Sequence, residues 1–356
     1  MHDHDEGIRR ICYTVTQADD IGRRADVVAG QRMSGISRRG ARQMGLAGHM
    51  MVNGHTAAPS TRLMDGDILE LAWSPKEPVF DLQVLATSPR FVYAYKPAGV
   101  HTHRLRPNQP PALADLVVEK FPECRDTADD TREMGATHRL DGDTSGVVVF
   151  ARSRRAWEQA REAFSNRLVR KHYAAVCTHN VSPDPTWPPP PPEGAHWWMR
   201  PAEGVNLAAD PVFADCLTAV TIPGVAPLLP RPEAWKVFAP LGHGAVRTEV
   251  AVRDDGLDAQ TTLQPLAEHA GNSRMLIALT LTTGHRHQAR VHLGWFGFPI
   301  VGDTRYGVVS YTRLCLHASS IDLSAAIPGE TVVAAPLPRA LVHALADISA
   351  SAQAPV

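Results

Sequence analysis

The chain has 356 residues, 44% of them hydrophobic and 21% charged, with a formal net charge of −1. That composition can bury a substantial core in two or so domains and contains no block of like charge that would keep it unfolded. Near-neutrality excludes a globally basic nucleic-acid binder. The five scattered cysteines form no CxxC pair, and no run of about 18 apolar residues could span a membrane.

The expected setting is therefore the cytoplasm, and any surface for a polyanion must be local. Two stretches offer one. Arg23, Arg24, Arg32, Arg38, Arg39 and Arg42 face a single acid, Asp26, within 23–42. Between 152 and 171, Arg152, Arg154, Arg155, Arg161, Arg167, Arg170 and Lys171 face Glu158 and Glu162. Solvated helix faces are the ordinary explanation of such runs.

In chain order, the first unit is expected over 18–74. A polar helical stretch leads to a strand ending in Val52, and Asn53-Gly54 supplies the positive φ of a tight turn. Asp65-Gly66-Asp67 makes a second turn before a strand from Ile68 to Ala72. The two prolines of Ser74–Pro78 predict a linker. A larger domain is expected over 80–335. It includes a strand from Phe91 to Tyr95, a helix from Pro111 to Phe121 and a buried strand from Gly146 to Phe150. A helix over 153–168 presents Trp157, Ala160, Phe164 and Leu168, and a strand runs from His172 to Cys177. Pro188 to Pro192 predict an exposed polyproline stretch inside an insertion over about 181–232. Strands resume near Trp235 and over Met275–Leu281, and a helix starts near Gly284 and runs through His292.

The most informative stretch is Thr137-His138-Arg139-Leu140-Asp141-Gly142-Asp143-Thr144-Ser145-Gly146. It places an aspartate in a polar loop just before a buried strand, where a rigid scaffold commonly presents catalytic groups. An Asp-Gly turn before a strand is also common structure. The wider pattern is more specific. HRLDGDTSG resembles the HRLDxxTSG signature of RluA-type pseudouridine synthases. Lys96-Pro97-Ala98-Gly99 resembles the family's KPaG, and Lys171-His172-Tyr173 its KxY strand. The stretch Thr283 to His292 resembles TGRxHQIRvH, Pro299 to Gly307 resembles PivGDxxYG, and Leu316-His317-Ala318 matches LHA. Six stretches fall in order over about 84–320. His285 departs from the family's arginine and Ala289 from its isoleucine. The pattern SRRGARQM…VNG…LMDGDILEL is similar to a small RNA-binding domain first seen in ribosomal protein S-four, although the first helix around Ala25 to Gly35 is glycine-interrupted.

The resemblance implies an α+β pseudouridine synthase fold. Its central sheet is mixed, mainly antiparallel and flanked by helices, with a small N-terminal α+β domain. It implies an isomerase that needs no cofactor or metal and acts on structured ribosomal or transfer RNA, without an obligatory protein partner and by default as a monomer. Asp141 is the implied nucleophile, Tyr173 stacks on the base or removes its ring proton, and Arg290 keeps the carboxylate charged. Lys96, His138, Arg139, Thr144, Lys171, Gly284, His287 and Gln288 are expected to contact substrate. An alternative is a non-catalytic RNA-binding protein on the same scaffold. A hydrolase using Asp141 with Asp143 is disfavoured, because nothing else in the sequence supports it.

Overall fold

A computed structural model of the protein describes residues 9–33, 36–46, 48–73, 80–105, 109–178, 197–228, 232–246, 249–307, 311 and 313–346. The expected linker at Ser74–Pro78 and the proline run at Pro188–Pro192 lie outside the described residues. The chain divides into two compact units, one of residues 1–142 and 148–158, the other of residues 143–147 and 159–356.

The first unit opens on a four-stranded antiparallel sheet, ordered Arg9–Thr14, Ile68–Trp73, Met50–Val52, His55–Thr56. Asn53 and Gly54 both have positive φ, 52° and 77°, and close the two-residue hairpin between Val52 and His55. The strand Arg9–Thr14 lies upstream of the expected start and pairs along its length with Ile68–Trp73. Its sequence, RRICYT, carries too little apolar alternation to announce a strand.

Helices Ala25–Arg32 and Arg38–Leu46 bury Val28, Ala29, Ala41 and Met44 with Leu69 and Leu71 of the sheet. The glycine expected to interrupt the first helix does not. Gly30 is helical, and a Cβ there would run into the backbone of Arg38. It is the point where the two helices touch, and its missing side chain is what lets them do so. Beyond them, this unit holds strands Gln83–Thr87 and Phe91–Lys96, helix Leu113–Lys120 and the end of strand Ser145–Ala151.

In the second unit an antiparallel ladder runs through Leu316–Asp322, Arg170–Thr178, Arg274–Leu281, Gln260–His269, Trp235–Phe238 and Trp198–Pro201. One parallel contact joins Ser145 and Gly146 to His317 and Ala318. The sheet is therefore mixed and mainly antiparallel, as the family resemblance implied. The expected insertion contributes to it. Trp198–Pro201 adds an edge strand and Val225–Pro227 pairs with Gln260–His269. Proline-rich flanks hid these short strands from a reading by periodicity. The helix expected over 153–168 ends at Ser165, and Arg167, with φ 59°, breaks it, so Leu168 is 46% exposed.

Gly146 anchors the N-terminal end of its strand, next to the Asp141 loop. Its φ is 132°, and a Cβ would meet the backbone oxygen of Ala318 and come within 2.6 Å of its nitrogen. Gly146→Ala is expected to lower unfolding free energy by about 3 kcal/mol, the strained φ and the overlap each costing roughly 1–2 kcal/mol. A denaturation curve measures this, and an unchanged midpoint would contradict the packing described.

Candidate active site

The loop of Asp141 is braced from beneath within the first unit. Lys96 is fully buried, and its Nζ donates to the carbonyls of Pro97 at 3.0 Å, Val100 at 2.8 Å and Gly142 at 2.9 Å. Three ammonium hydrogens thus meet three carbonyls. The Gly142 oxygen also accepts from the Gly99 amide at 2.6 Å. Lys96 was expected at the substrate. It is buried in this structure, where it ties the KPAG turn to the Asp141-Gly142 turn and positions the loop. Leu140 donates its amide to Thr102 Oγ1 at 3.2 Å, and Val149 donates to His138 Nε2 at 3.2 Å, so His138 carries its ring proton on Nδ1 when neutral. The Arg39 guanidinium packs against Gly142. Asp141 is half-buried and Arg139 exposed.

Past Gly142 the chain enters the second unit. Thr144, expected at the substrate, is 2% exposed. Ser145 is fully buried. Its Oγ lies 2.9 Å from His317 Nδ1 and accepts from Arg313 Nη2 at 3.0 Å, while His317 Nε2 lies 3.3 Å from the Ala335 oxygen. The carbonyl requires a proton on Nε2, so Nδ1 accepts the serine hydroxyl. Ser145 is a small donor of the motif, but its contact with Arg313, far along the chain, has no local signal in the sequence. Tyr173, 9% exposed, and Gly146 both lie opposite Ala318, which sets them two strand spacings, roughly 10 Å, apart.

The Thr283–His292 stretch is a loop before it is a helix. The helix spans Gln288–Trp295 and is preceded by His287 in the left-handed conformation, φ 58°. The expected start near Gly284 is corrected accordingly. Gln288 is 1% exposed and its amide is consumed by the loop. Oε1 accepts from Thr283 Oγ1 at 2.8 Å and from the His285 amide at 3.1 Å, and Nε2 donates to the Gln260 oxygen at 2.9 Å and Thr261 Oγ1 at 3.1 Å. Gln288, expected at the substrate, braces the loop through these four contacts. His285, in place of the family's arginine, donates from Nε2 to the Asp258 oxygen at 2.8 Å.

Arg290 is 8% exposed and forked onto Asp303, Nε to Oδ2 at 2.8 Å and Nη2 to Oδ1 at 2.7 Å. Burial pushes the Asp303 carboxyl up, but Arg290 and the amides of Arg305 and Tyr306 outweigh it and hold its pKa below the usual carboxylate range. The Tyr306 ring lies under the guanidinium at 5.1 Å. The Tyr306 hydroxyl accepts the Val250 amide at 2.9 Å and lies 2.8 Å from His287 Nδ1. Lys171 donates to the Thr283 oxygen at 2.8 Å, beside exposed Gly284.

Among the residues of this chain, 90–295 match the profile of the family described as RNA pseudouridylate synthase, more than half of its length. The chain belongs to that family. Relatives of this pseudouridylate synthase include ribosomal large subunit pseudouridine synthase D of Xanthomonas campestris pv. campestris, 27% identical over 358 residues that span 93% of this chain and 91% of that one. The dual-specificity RNA pseudouridine synthase RluA of Haemophilus influenzae is 29% identical over 265 residues, 72% of this chain and 93% of that one. Human RNA pseudouridylate synthase domain containing 1 is a similar solved structure, with TM-score 0.47, 21% identity, and coverage of 72% of this chain and 83% of that one. No helix among the described residues is long and apolar enough to cross a membrane.

Two buried histidines of the synthase make its stability pH-dependent. His292 is fully buried between Thr261 Oγ1 and the Ala239 oxygen, both at 2.9 Å, and burial pushes its pKa down to about 4. Burial likewise pushes that of His317 to about 3. In the unfolded chain both return to about 6.5, so on acidification the unfolded state takes up protons first. Stability from these two is complete above about pH 6.5 and is lost as pH falls from there toward 4 and 3, at about 1.4 kcal/mol per unit for each. Denaturation midpoints at pH 7 and 4.5 should differ strongly, and His317→Asn should flatten the difference. Equal slopes in the two proteins would contradict the neutral assignment of His317.

Proposed function

We propose that this synthase converts a specific uridine of structured RNA to pseudouridine, with Asp141 as nucleophile. The reading rests on one feature above all: the Asp141 turn is braced from below by a buried ammonium and by backbone donors, while its carboxylate residue stays half-buried at the surface. A scaffold kept only for RNA binding has no need to hold this turn so firmly. In the proposed reaction the Asp141 carboxylate attacks C1′ of the sugar and the N1–C1′ bond breaks; the freed uracil anion turns, and its C5 carbon bonds to C1′, expelling the carboxylate, while N1 takes up a proton. The C5 proton then leaves, and Tyr173 is proposed to stack on the base and take that proton. Arg290 is proposed to favour the charged aspartate, its plane set by Asp303. The target base must leave its stack to react.

The relative named as a ribosomal large subunit synthase, similar over nearly the whole chain, favours ribosomal RNA as substrate and leaves transfer RNA second. The N-terminal two-helix, four-stranded unit is proposed to be S-four-like and to grip RNA through exposed Arg38 and its neighbours. Arg139 and His287 are proposed to contact the substrate strand. The enzyme is proposed to work as a monomer in the cytoplasm. Mapping pseudouridines in total RNA from cells with and without the gene tests this. One discrete site in large-subunit ribosomal RNA should disappear, whereas an unchanged map would overturn the reading.

A further inference from the structure

Among the described residues, two motif lysines, each on a strand, have buried amines, and they are used differently. Lys96 meets three carbonyls. Lys171 meets one. It is half-buried on strand Arg170–Thr178, and its Nζ donates to the Thr283 oxygen at 2.8 Å with the Phe164 ring 5.9 Å away. Among the described residues no carboxylate pairs with it and no second oxygen accepts from it. A buried cation without a counter-ion is costly, and an arriving anion would offset that cost. Burial alone moves this amine, pushing its pKa down to about 8, with no acid nearby to pull it back.

The surroundings specify what arrives. Lys171 and Tyr173 are two apart on one strand and share a face. Across the amine lies Gly284, which is exposed and whose Cβ, if present, would stand 2.8 Å from Nζ. The gap that glycine leaves opens onto solvent beside the only carbonyl the amine uses. We propose that Lys171 and the Thr283-Gly284 turn form a subsite for one phosphodiester of the RNA strand that carries the target uridine. This rests on the proposed function and names the chemistry of part of that same site. A point-charge ammonium with two spare hydrogens suits a phosphate oxygen.

Equilibrium binding of an unmodified large-subunit ribosomal RNA transcript, over a range of salt, tests it. All proteins carry Asp141→Asn, so binding is read apart from turnover. Lys171→Met should weaken binding about tenfold at low salt. It should also reduce the slope of log affinity against log salt by about 0.7, the value for one single-strand phosphate. Lys171→Arg should restore both. Gly284→Ala, which keeps the lysine but fills the gap, should act like Lys171→Met. It decides the matter if thermal melting shows Lys171→Met to be unfolded. Inorganic phosphate at matched ionic strength should compete with the parent protein and not with the folded lysine variant. An unchanged slope in either folded variant overturns the subsite. Pseudouridine formation by the unsubstituted enzyme, measured separately, shows whether the underlying function stands.

Discussion

Asp141→Asn is expected to leave the protein folded and to cut pseudouridine formation by more than about 10³-fold, to background. The substitution preserves shape and one hydrogen-bonding oxygen but removes the nucleophile. Because Lys96 and Gly99 hold the adjacent Gly142 carbonyl and not the Asp141 side chain, the turn should survive. Thermal melting within a degree or two of the parent, together with loss of product, is the predicted pair. Retained activity would remove Asp141 from the chemistry, and joint loss of fold and activity would make it a structural residue.

Asp303→Asn is expected to have the largest combined effect on stability and turnover. Asp303 is 1% exposed and receives two nitrogens of Arg290 and two backbone amides. An amide there keeps the volume but leaves the guanidinium buried without its counter-charge, at a cost of about 3–5 kcal/mol. The Arg290 fork would also lose its fixed plane, so kcat should fall well beyond what reduced folded fraction explains. Titrating unfolding at pH 7 and assaying at a temperature where the variant stays folded separates the two effects. A variant as stable and as active as the parent would show that Arg290 needs no such support.

Much of this was legible in the amino-acid order. Asn53-Gly54, the β-branched run after Gly146, and the apolar spacing of Leu113, Leu116 and Val117 announced their elements because local sterics and periodicity dominate there. The ordered motif stretches announced the family. Roles within the motifs were harder to read. Lys96 and Gln288 look alike as polar residues in motif loops, whether they face substrate or brace the backbone. Only long-range contacts, from Lys96 to Gly142 and from Gln288 to Gln260, distinguish these. The helix start at Gln288 was displaced by the left-handed His287, a conformation that tertiary packing imposes against the usual preference of a histidine. Asp303 was visible as a motif letter, yet its partnership with Arg290 spans thirteen positions and has no periodic signature. Strand Trp198–Pro201 belongs to the sheet because Trp235–Phe238 offers it an open edge, which no property of WMRP reveals.

The most direct test of the central claim follows the hydrogen that the proposed reaction must expel. Unmodified large-subunit ribosomal RNA, transcribed with uridine tritiated at C5, is incubated with the purified protein and with its Asp141→Asn variant. The account predicts tritium released into water in one-to-one proportion with pseudouridine at a single site, from the parent protein alone. Tight RNA binding with no tritium release, under conditions where a known synthase releases it from the same transcript, would contradict the assignment of Asp141 as the nucleophile of a uridine isomerase acting on this RNA.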